Sequence, residues 1–236
     1  MWPFKLFLIV HAVAGGTGLL LFWVPVLSRK GAQAHRYWGR LFCALMLVTA
    51  SMAASMGCCT LLAPRATHPH LAMPPALIAG VFGWMMLYLA VLTVSLVWHG
   101  QRSTRTRHAP PERRAPLDLA VQGLVLLLAV QCARVGWQLH MPLMLAMPVI
   151  GVASVATNFW YVFRPAPHNK AWLMEHVKAL VGAGISVYTA FTAFGAVHLL
   201  PSAALNPITW AMPLVAGISL ILWHWARIRR SLVPAG

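Results

Sequence analysis

PALIAGVFGWMMLYLAVLTVSLVW, residues 75–98, carries no charged side chain and runs into HGQRSTRTR, residues 99–107, which holds three arginines. Wound as a helix at about 1.5 Å per residue, the apolar stretch is longer than the ~30 Å hydrocarbon core of a bilayer. It lacks the strict alternation of a strand in a membrane barrel. Backbone amides in lipid have no water to bond, so a helix that satisfies its own groups is the reading such a run allows.

The same pattern repeats along the chain. Apolar spans fall at about 5–27, 41–63, 75–98, 118–138, 142–163, 173–196 and 207–226, separated by short basic or polar segments. The expected fold is therefore all-α: one transmembrane domain, residues 1–236, built as a bundle of about seven membrane helices. Composition agrees. Of 236 residues, 60% are hydrophobic and 9% charged, against about a quarter charged in soluble domains. The first span lacks a charged leader and a small-residue cleavage site, so it is expected to be retained rather than removed as a signal peptide.

Eighteen Lys and Arg oppose three Asp and Glu, giving a formal charge of +15. Spread over one solvated face, this charge would point to nucleic acid. Instead, fourteen of the eighteen lie between spans 1 and 2, 3 and 4, 5 and 6, or after span 7. Cations gather on the cytoplasmic side, which predicts the N-terminus out and the C-terminus in. The expected partner is the lipid bilayer, not nucleic acid. Trp23, Trp98, Trp137 and Trp160, near span ends, suit the membrane interface.

Ionisable groups inside a span are costly and stand out as candidate sites. His11 shares a helical face with Gly15 and Gly18, small residues that admit a neighbouring helix. His35 and Arg36 fall in the first cytoplasmic loop, at the same depth as His176 near the cytoplasmic start of span six. Arg134 lies in span four without an acid at its depth, and is read as snorkelling to headgroups or as an anchor for a carbonyl, a quinone oxygen or a propionate. His11, His35, Arg36, Arg134 and His176 are thus the candidate cofactor-binding residues, with haem b or a quinone as the candidate cofactor. In this scheme His35 and His176 are inner ligands, and His11 is an outer ligand or proton relay. His140 and His198 are possible outer companions of His11.

A second reading rests on Met52 and Met56, one turn apart, with Cys59 beyond them. Thioethers and a thiol suit Cu(I), pointing to soft-metal handling or small-solute transport; methionine is also a common core filler. Cys58 and Cys59 are expected to stay free or pair with Cys132. A third reading is a structural subunit without a site. There is no C-x-x-C, H-E-x-x-H, G-x-S-x-G or phosphate-binding loop, and three carboxylates are too few for most acid-dependent hydrolysis.

His11-x-x-x-Gly15, His35-Arg36-x-x-Gly39-Arg40, Trp172-Leu173-x-x-His176 and Thr189-Ala190-Phe191 together resemble the domain-of-unknown-function 2306 family of bacterial polytopic membrane proteins. Gly195 departs from the pattern, where an asparagine is expected. The resemblance implies a multi-pass inner-membrane protein and singles out His11, His35, Arg36 and His176. It implies no reaction.

Overall fold

The computed structural model describes residues 2–106, 114–164, 169–192 and 207–231. Among them there is no strand. The long helices are α1 (Trp2–Leu27), α2 (Gln33–Leu62), α5 (Met86–Arg105), α6 (Pro116–Gln138), α7 (Pro142–Phe163), α8 (Ala171–Ala190) and α9 (Pro207–Arg230). Short helices α3 (Pro64–Thr67) and α4 (Pro75–Ile78) follow α2. A π-helical stretch, Ala79–Met85, joins α4 to α5, so Pro75–Arg105 is one continuous rod. His108, His168, Gly195, His198 and the last residues of the expected sixth span lie outside the described residues.

Six of these rods are long and apolar enough to cross a membrane; Ala171–Ala190 is not among the six. Seven spans were expected; the expected sixth, 173–196, runs beyond the described residues, and its described part, α8, carries Glu175, His176 and Lys178 in its first turns. The six helices are compatible with a multi-pass membrane protein. So are the large apolar side chains left exposed on outward faces, among them Leu20, Leu127, Val149 and Val215, which a water-soluble surface rarely groups together.

α5 lies at the centre and packs against α2, α6 and α8, while α1 pairs with α2, α6 with α7, and α8 with α9. The core between them is built from Phe42, Met46, Met85, Tyr88, Val125 and Met144. Proline opens α6 and α7 at the first turn, where its missing N–H leaves no bond unmade. Two glycines fix the geometry of the site. Gly31, at φ 78°, turns the chain from α1 into α2 in the left-handed region. Gly100 lets α8 close on α5: a Cβ there would stand 2.8 Å from Leu180.

Candidate functional site

The end of the bundle that carries the α1–α2 turn also receives the start of α8 and the last turns of α9. Here His35 and His176 meet, with ring centroids 6.5 Å apart and planes at 66°. His35 stands in the first turn of α2, and its Nδ1 donates to the Pro25 carbonyl at 3.0 Å. Pro25 lies in the last turns of α1, where helix carbonyls have no partner of their own. The Lys30 ammonium donates to the Pro25 and Val26 carbonyls as well. His176 reaches across the close α5–α8 contact, and its Nδ1 donates to the Gly100 carbonyl at 2.9 Å. A carbonyl can only accept, so each ring carries its proton on Nδ1. In the neutral form, each Nε2 is then a bare lone pair. This is the arrangement by which a carbonyl orients a ligating histidine.

The surroundings are cationic. Lys30 lies within electrostatic reach of both His176 and His224. Its own ammonium is held below the usual lysine range by partial burial and then by Arg227. Arg227 sits over the Trp223 ring at 4.9 Å. Trp225 Nε1 donates to the Met174 carbonyl at 3.0 Å, tying α9 to α8 two residues before His176. Between α1, α8 and α9 lies an open apolar cleft of about 680 Å³ lined by Phe22, Val26, Val181, Tyr188, Leu220 and Trp223; neither His35 nor His176 lines it. Its size is typical of small-molecule sites.

The other candidates stand apart. His11 faces α2 as its glycine stripe implies: its Nδ1 donates to the Thr49 carbonyl at 2.9 Å, and Gly15 packs on the Thr49 side chain. Fourteen residues of helix, about 21 Å, separate it from Pro25. Arg36 is exposed in the first turns of α2. Arg134 is exposed near the far end of α6, beside the exposed Val130 and Trp137. It is therefore not brought to the histidine pair as an anion anchor. Met52, Met56 and Cys59 are half-buried on α2. All four cysteines are free; Cys132 is buried with its Sγ 3.6 Å from the Met144 carbonyl. Among the described residues, no three of His, Cys, Asp and Glu form a metal-holding group.

Sequence reasoning missed His99. Taken as an ordinary span-end residue, it is buried, and its Nε2 bonds Glu175 Oε2 at 2.9 Å. Lys178 Nζ donates to the same oxygen at 2.5 Å and to Thr157 Oγ1 at 3.1 Å. The available signal was the scarcity of acids: an acid in an apolar helix needs a partner, and His99 shares its end of the bundle. No protein-family profile, curated protein or solved structure matches the chain.

Proposed function

We propose that the chain is a multi-pass protein of a bacterial inner membrane, crossing seven times with the N-terminus out and the C-terminus in. We further propose that His35 and His176 form a haem- or quinone-linked ligand site at its inner face. The observation that carries this reading is the histidine pair itself. Two imidazoles sharing one metal through ~2 Å bonds stand about 6 Å apart from centroid to centroid, and these stand 6.5 Å apart. Two histidines without a third donor suit a group that brings its own equatorial ligands, which favours haem over a bare metal ion. Bound there, haem would supply one-electron chemistry. His35 and His176 would hold the iron, and Lys30 and Arg227 would attract the carboxylates.

Quinone is the second reading, supported by the cleft, whose apolar walls suit an isoprenoid tail. Membership of the polytopic family that the histidine motifs resemble is proposed on the same residues. Detergent-purified protein tests both cofactors. A Soret band or extractable quinone is expected, lost in His35→Ala and His176→Ala but kept in His11→Ala. The absence of both from wild-type protein would remove the reading. Reporter fusions within residues 107–113 are expected on the inner face.

A further inference from the structure

A second polar centre lies between α5, α6 and α7. His99, Arg102, Asp118, Gln122, Asn158 and Tyr161 border a space of about 20 Å³. Asn158 is fully buried; its Nδ2 donates to Gln122 Oε1 at 3.2 Å, and its Oδ1 has no hydrogen-bond partner. Turning both amides end for end only exchanges an orphan acceptor for an orphan donor. A buried polar group left this way costs about 1–3 kcal/mol, and native proteins usually satisfy such groups with an ordered water or ion.

Size and charge identify the occupant. A water needs about 10–15 Å³ of this kind of volume and two or more polar partners, and the space offers both. A cation would need uncompensated negative charge. Asp118 already accepts from Arg102 Nε and Nη2, both at 2.9 Å, and from Trp98 Nε1. On the neighbouring α8, Glu175 is balanced by Lys178 and bonded to His99. A neutral molecule that both donates and accepts is what remains.

We propose that this pocket binds one water, and that His99 exchanges its proton with the inner aqueous phase through it. The pocket is walled by residues of the last turns of α5 and the first turn of α6, so on the topology proposed above it sits one short step from the cytoplasm. His99 brings the exchanged proton against Glu175, with Lys178, Arg102 and Asp118 as the other charges facing the centre from α8, α5 and α6. The position matters to the ligand site as well. His99 bonds Glu175 while the next residue, Gly100, accepts from the next residue of α8, His176. Protons arriving at His99 therefore arrive one residue from the histidine pair in both helices. The water and the exchange hold whether or not haem or quinone binds there.

Water-edited NMR on the full-length, side-chain-labelled protein in lipid nanodiscs tests the proposal. In wild-type protein, magnetisation is expected to pass from a bound water to the Asn158 side-chain amide. The His99 ring N–H is expected to exchange with water about tenfold faster than in Asn158→Leu, because a leucyl side chain fills the space a water needs. Gln122→Leu serves the same purpose if Asn158→Leu does not fold. A wild-type Asn158 amide that receives nothing from water shows a dry cavity and overturns the proposal. Equal His99 exchange in wild type and variant overturns the route.

Discussion

Replacing Glu175 with glutamine changes one oxygen for an amide and little volume, so it isolates charge. In the folded protein, the Glu175 side chain is 11% exposed and that of Lys178 is 13% exposed. An exposed ion pair is worth about 0–1 kcal/mol; removing one partner of a buried pair costs about 3–5 kcal/mol, because the other charge stays buried and unpaired. Glutamine offers a neutral oxygen to His99 or to Lys178, but no charge to balance the ammonium, whose other partner is Thr157 Oγ1. Glu175→Gln is therefore expected to lose about 3–5 kcal/mol. Lys178→Met should lose less, about 1–3 kcal/mol, since Glu175 keeps its bond to His99. The double variant removes both desolvated charges and should recover most of the loss. Reversible unfolding in mixed detergent micelles measures all three and closes a double-mutant cycle. Additive single losses, or a Glu175→Gln loss under about 1 kcal/mol, would show that water reaches the pair, and the buried-centre argument would fall.

Gly15→Leu should open the α1–α2 seam, since even a Cβ there lies 3.3 Å from Thr49 Cγ2. The same unfolding assay should read a loss of about 1–3 kcal/mol. A Cβ at Gly16 meets nothing within 4 Å, so Gly16→Ala should not be destabilising. His68 is packed between Phe4 and Phe82, and burial lowers its pKa from 6.5. Its neutral form is the one the fold favours. Its contribution is therefore fully present above pH 6.5 and is lost as pH falls from there through the lowered folded value. His68→Gln should flatten that part of the stability–pH curve; an unchanged acid slope would assign it to other groups.

The helices were legible because lipid-length apolar runs are long and their ends are marked by arginine and proline. Span 142–163 coincides with α7. Where the reading fell short, it measured something other than hydrogen bonding. Residues 75–98 mark where hydropathy ends, while the helix continues to Arg105, because arginine is a good helix former although it is strongly polar. The π-helical stretch at Ala79–Met85 has no signature in hydropathy, since its side chains are as apolar as those around it. Depth along the bundle was also legible. His35 and His176 were placed at one level because one lies in a basic loop and the other at the start of a span on that same basic side. Their meeting was not legible, because it depends on Gly31 turning α2 back on α1 and on Gly100 admitting α8.

α8 carries Glu175, His176 and Lys178 in its first turns, and its place in the bundle explains how it can. α8 touches α1, α5, α7 and α9, so much of its surface is covered by protein and not by solvent of either kind. A helix so surrounded can carry Glu175, His176 and Lys178 because its neighbours provide His99, the Gly100 carbonyl and Thr157 at bonding distance. The same three residues on the outward face of α1 would have no such partners. Three ionisable residues in the first turns of α8 thus lie where neighbouring helices enclose it. The polar residues it carries find partners on two sides: His176 bonds the Gly100 carbonyl beside His35, and Glu175 bonds His99, which lines the polar pocket.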